Sequence, residues 1–187
     1  MPRKFLELAV TPSVLRAQEE AYGRSRPVRG AGARDPLGPH EAAFIAERDS
    51  FYMATVTEAG WPYVQHRGGP PGFLHVLSPT SLGFADLTGN RQLLTAGNLA
   101  ANDRVALFLM DYPNRRRLKI LGHARAPSST SHSELVEVLA DPSLRTHVER
   151  LFLIDVVAFD WNCPKFITPR YTADEVRRLV ERGQPLD

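Results

Sequence analysis

The chain has 187 residues, 43% hydrophobic and 24% charged, an ordinary balance for one soluble globular domain with a real core. A net charge of +2 with no basic stripe interleaved with aromatics argues against nucleic acid as a partner. No apolar stretch reaches membrane-spanning length, Phe5 to Val10 is too short and interrupted for a signal peptide, and the single Cys163 excludes an internal disulfide, so a cytoplasmic protein is expected.

Thr11-Pro12-Ser13 predicts a helix start and Val14 to Tyr22 a short amphipathic helix. Residues 23–39 are rich in Gly, Pro and Arg, lack periodicity and read as a connector. Pro39 opens a second helix through Glu47, with Phe44 and Ile45 facing inward. From Phe51 the period becomes two. Phe51 to Thr57 and Trp61 to Arg67 read as a hairpin around Glu58-Ala59-Gly60, and Gly68-Gly69-Pro70-Pro71-Gly72 then breaks the pattern. Phe73 to Leu77 and Leu82 to Asp86 flank Ser78-Pro79-Thr80 as a second hairpin. After a Thr88-Gly89-Asn90 turn, Arg91 and Gln92 open a helix to about Ala101. Val105 to Met110, Arg117 to Ala126 and Leu151 to Trp161 are further strands. Between the last two lies a helix over Ser133 to Ala140, capped by Ser131 or Ser133. Thr172-Ala173-Asp174-Glu175 begins a C-terminal helix with a capping-box pattern. Adjacent hairpins with flanking helices predict a mainly β, α+β protein whose antiparallel sheet closes or nearly closes into a barrel.

Three stretches carry candidate chemistry. The strand-turn-helix segment from Leu82 to Ala101 aims free backbone N–H groups and Arg91 at one spot, where a phosphate could be held. In the Trp61 to Gly69 stretch, Gln65 and Arg67 share one strand face and His66 takes the other. A core-facing Gln and Arg need water, each other or a polar ligand. In the third, Trp161 could stack on a planar ligand or close the barrel end, and Asn162 supplies hydrogen bonds. Arg115-Arg116-Arg117 with Lys119 reads as a solvated strand entry or as an anion site. HExxH, CxxC, GxSxG, Walker A and GxGxxG patterns do not occur, so zinc, hydrolase, NTPase and Rossmann readings lose ground.

Together, FIAERDSFYMATVTEAGWPYVQHRGGPPGF, FADLTGNRQLLTAGNLAANDRVALFLMDYPNRRRLKILGHAR and FDWNCPKFITPRY resemble the pyridoxamine 5′-phosphate oxidase-like, FMN-binding split-barrel proteins. The resemblance covers about Pro39 to Tyr171 and implies an antiparallel six-stranded split β-barrel over residues 39–171, with a helix and connector before it (1–38) and a helix after it (172–187). It further implies a homodimer with FMN at the subunit interface. Gln65, His66 and Arg67 would line the ribityl–phosphate and ring edge, and Asn90, Arg91 and Gln92 would hold the phosphate. Arg117, Lys119, Trp161 and Asn162 would contribute from the interface, including from the partner subunit. The expected activity is that of an FMN-dependent oxidoreductase drawing on a small-molecule substrate or a nicotinamide donor, with His66 as leading acid–base candidate. Nothing after Trp161 matches the C-terminal Arg-x-His element with which the oxidase proper grips pyridoxal phosphate. Three alternatives stay open: a flavin-binding or sensing module without turnover, a split barrel using deazaflavin or haem, and true pyridoxamine 5′-phosphate oxidase activity.

Overall fold

The computed structural model describes residues 3–161 and 163–183. Strands β1 (Ser50–Val56), β2 (Pro62–Gly68), β3 (His75–Ser78), β4 (Ser81–Leu87), β5 (Arg104–Asp111), β6 (Arg116–Arg125) and β7 (Val148–Trp161) form one antiparallel sheet in the order β2-β1-β5-β6-β7-β4-β3. Around it lie α1 (Lys4–Ala9), α2 (Pro12–Tyr22), α3 (Pro39–Ala46), α4 (Leu94–Ala101), α5 (Ser133–Leu139) and α6 (Ala173–Glu181). The mainly β, α+β architecture is as expected, with seven strands rather than six because every strand segment read along the chain joins the same sheet.

Period-two alternation explains how the sheet encloses a core. On β5, Val105, Leu107 and Leu109 are buried while Ala106, Phe108 and Met110 alternate onto the other face. Inward residues of the other strands, among them Met53, Phe84, Leu118, Ile120, Ile154 and Val156, join them in one cluster plugged by Phe44 and Ile45 of α3. The end strands β2 and β3 follow one another through residues 69–74, yet no ladder joins them among the described residues. The sheet therefore curls around its core and stays split at that seam. The outer face of β4 and β7 is covered by α5, where Leu139 packs with Leu151 and Leu153.

Several boundaries differ from expectation for local reasons. Helix α4 starts at Leu94, not Arg91, because Arg91 and Leu93 take left-handed φ of 61° and 55°, which no α-helix contains. Neither Ser131 nor Ser133 caps α5; its N-cap is His132, and Ser128 instead caps a 3-10 turn over Ser129–Ser131. Thr172 and Glu175 do form the expected capping box on α6. The short helix α1 has no counterpart in the sequence reading. It exists because Asp35, in the connector, accepts the N–H groups of Arg3, Lys4 and Phe5 at 3.1–3.3 Å.

A β-bulge fixes that connector. The β6–β7 register passes from Leu121↔Ala158 to Gly122↔Val156, which leaves Val157 outside the ladder. Its freed carbonyl accepts the Asp35 N–H at 2.9 Å.

Candidate functional site

Two recesses open at the split side of the barrel. The smaller, about 230 Å³, lies between β2, β4, the turn before α4 and the start of β7. Five of the expected cofactor residues line it: Gln65 and Arg67 from β2, and Asn90, Arg91 and Gln92 from the turn. The side-chain alternation on β2 is as expected, with Tyr63, Gln65 and Arg67 half-buried and Val64 and His66 exposed. The turn is wound by an Asx contact, Gln92 N–H donating to Asn90 Oδ1 at 3.1 Å. The left-handed Arg91 and Leu93 complete it. Strained non-glycine backbone of this kind concentrates where a ligand or switch needs it. Leu93 offers no side-chain cap to the first N–H groups of α4, and Leu94, Thr95 and Ala96 of that first turn border the cleft.

At the back of this cleft stands an ion-pair network. Arg67 Nη1 donates to Asp86 Oδ1 at 2.8 Å and Nη2 to Thr95 Oγ1 at 3.0 Å. Arg150 Nη1 donates to the other oxygen of Asp86, also at 2.8 Å. The Arg67 guanidinium lies 4.9 Å from the Phe152 ring centroid, within cation–π range. Its Nε is buried and has no acceptor. Asp86 and Arg150 were not singled out from the sequence. They face each other in the β4–β7 ladder, across 64 positions of chain.

The larger recess, about 470 Å³, shares Arg67, Asp86 and Leu87 with the first and continues along the seam. The Gly68–Phe73 loop, Phe84 and the end of α5 give it a largely apolar lining, and His66 and His75 border it. Burial holds the His75 pKa below its ordinary value, so the ring is neutral at neutral pH. His66 is exposed, edge-on to Tyr52 at 5.6 Å.

The remaining expected residues lie elsewhere in the single chain. Lys119 points outward from β6, pairs with Asp160 at 3.0 Å and lies over the Phe5 ring of α1. Arg117, its neighbour on the same face, has a buried Nε with no acceptor. Trp161 seals the end of the barrel: its indole donates to Glu41 Oε1 at 2.8 Å and packs edge-on to Phe44. Asn162 lies outside the described residues. Among the described residues, no group of three or more His, Cys, Asp or Glu could hold a metal, and no helix is long and apolar enough to cross a membrane.

The chain is thus an antiparallel barrel, split along one seam, with a cation-rich cleft beside that seam. Residues 37–145 match the family model described as pyridoxamine 5′-phosphate oxidase, and since this is over half of the chain, the protein belongs to that family. No curated protein matches the sequence. Among solved structures, a putative pyridoxamine 5′-phosphate oxidase from Lactobacillus delbrueckii is similar at 20% identity and a TM-score of 0.53, over 67% of this chain and 94% of that one. HupZ of Group A Streptococcus is similar at 11% identity and a TM-score of 0.51, over 73% and 100%. A conserved hypothetical protein of Mycobacterium tuberculosis is similar at 14% identity and a TM-score of 0.50, over 78% and 97%. At these identities the likenesses establish the fold alone.

Proposed function

We propose that the protein binds FMN with its phosphate in the smaller cleft and acts as a flavin-dependent oxidoreductase on a small molecule. The observation that carries this reading is the convergence of Gln65, Arg67, Asn90, Arg91 and Gln92 on one cleft, with an uncapped helix start beside them. A guanidinium donor and free helical N–H groups suit a phosphate and keep their character at any working pH. FMN, when bound, supplies hydride transfer at its ring. The chain's own part is to grip the phosphate through Arg67 and Arg91, to hydrogen-bond the ribityl chain through Gln65, Asn90 and Gln92, and to keep water from the reacting face. The adjoining 470 Å³ recess favours turnover over a sensing role, because it leaves room for a second molecule beside the cofactor. His66, at its border, is the candidate for moving a proton.

Pairing of two copies belongs to the same proposal, and with it contributions from Arg117, Lys119, Trp161 and Asn162 across the interface. The outer face of β2, β1 and β5 supports it, since exposed Val64 and Tyr52 adjoin half-buried Ala54, Ala106 and Phe108 there.

The test is the absorbance spectrum of freshly purified protein, followed by release of flavin on denaturation and titration of the apoprotein with FMN. Replacing Arg67 and Arg91 together by Ala removes two charge-assisted contacts of roughly 1.5–3 kcal/mol each, so FMN affinity is expected to fall by on the order of a hundredfold or more. A colourless protein that takes up no added FMN overturns the reading.

A further inference from the structure

The carboxylate of Asp86 sits where a phosphate-binding cleft would least be expected to hold a negative charge. It borders the cleft together with Arg67, Arg91 and Arg150, and its side chain is only 13% exposed. One oxygen takes Arg67 Nη1 and the other takes Arg150 Nη1, both at 2.8 Å. Arg67 is further fixed by Thr95 Oγ1 at 3.0 Å, and Arg150 by Glu149 Oε2 at 3.2 Å. Each guanidinium has five N–H donors, so these bonds leave further donors on both. Without a carboxylate between them, two partly buried guanidinium groups would repel one another and sample many rotamers. An incoming anion would then have to order both, at a cost in side-chain entropy.

We infer that Asp86 is a positioning residue that aligns Arg67 and Arg150 as a preformed pair for the phosphate, and that Arg150 is thereby a phosphate-binding residue of the cleft. The inference rests on the FMN reading above and adds to it a residue on β7, a strand that none of the five expected cleft residues occupies. It opposes simple electrostatics in sign. If Asp86 acted only through its charge, removing it would make the cleft more positive and tighten phosphate binding. If it aligns the two arginines, removing it weakens binding although the cleft gains positive charge.

The experiment measures FMN and riboflavin affinities of the full-length protein, wild type and variants, by quenching of flavin fluorescence. Thermal unfolding without ligand serves as the control for folding. Asp86→Asn is expected to weaken FMN binding tenfold or more and to lower the FMN-to-riboflavin affinity ratio, with Asp86→Glu recovering part of the loss. Arg150→Gln is expected to lower the same ratio, and Arg150→Lys less so. Tighter or unchanged FMN binding in Asp86→Asn overturns the inference while leaving the function intact. Equal losses for FMN and riboflavin also overturn it, because the effect would then be structural and not directed at the phosphate. A wild-type protein that binds no FMN overturns both.

Discussion

Trp161, for which the sequence left open a stacking platform and a closure of the barrel end, closes that end within the single chain. Its indole reaches over the end of the core to Glu41, whose carboxylate also accepts the Gly38 N–H at 3.0 Å and contacts His40. Burial of Glu41 works against its ionisation, but the bonds from Trp161, Gly38 and His40 outweigh it and hold the pKa below the ordinary 4.5. A carboxyl whose folded pKa is depressed stabilises the fold above its unfolded value and gives that stabilisation up as pH falls through the folded one. Trp161→Phe strips a buried carboxylate of a donor and is expected to cost roughly 1–3 kcal/mol at neutral pH. In acid below the ordinary carboxylate range the gap between variant and wild type should narrow, because a protonated Glu41 has less need of the indole. Urea unfolding at both pH values measures it. A gap that does not change with pH would assign the loss to packing alone.

At the scale of elements, two glycines permit close approaches that no other residue would. A Cβ on Gly122 would lie 2.6 Å from the Asp155 carbonyl oxygen, at the bulge where β6 and β7 change register. A Cβ on Gly69 would lie 2.7 Å from Cγ of Phe73, the ring that stacks on Phe51 at 5.5 Å and lines the larger recess. Rotating the Phe73 side chain relieves Cγ but not its Cβ, which would lie 2.9 Å away and moves only with the loop backbone, whereas the Asp155 carbonyl moves only with a strand laddered on both sides. Gly122→Ala is therefore expected to destabilise more than Gly69→Ala, each falling in or above the roughly 1–3 kcal/mol typical of overpacking. Thermal or denaturant unfolding ranks them, and the reverse order would show that the bulge is more pliant than its contacts imply. The strands themselves were legible because alternation is a local signal, and all seven segments were visible in the sequence as runs such as Val105 to Met110. The start of α4 was not. Arg91 and Leu93 have no intrinsic preference for left-handed backbone, so only the surrounding fold imposes it.

Across the whole molecule, what could be read of the site in advance was whatever lay on one continuous segment. Gln65 and Arg67 were visible on β2 and Asn90 to Gln92 in one turn, while Asp86 and Arg150 meet only through the β4–β7 register, which no short pattern encodes. The N-terminal helix escaped for the same reason. Six residues make a marginal helix in water, and α1 depends on a carboxylate 30 positions away. The attachment is a reciprocal clasp: Asp35 receives the first N–H groups of α1, and Glu7 of α1 accepts the Ala31 N–H of the connector at 2.9 Å. Phe5 is buried beneath it, under the ammonium group of Lys119. Among the described residues the clasp ties α1 to the connector, and the connector to the carbonyls of Val156 and Val157 at the bulge, so its loss should free α1 and the connector without opening the barrel. Asp35→Ala removes a helix-capping acceptor and is expected to cost about 0.5–2 kcal/mol. Hydrogen exchange read by mass spectrometry should show lost protection over residues 3–9 and 24–36, with the ladders of β5, β6 and β7 unchanged. Lost protection in β7 as well would mean that α1 is part of the barrel's cooperative unit, so that what looks like a strap would be a structural wall.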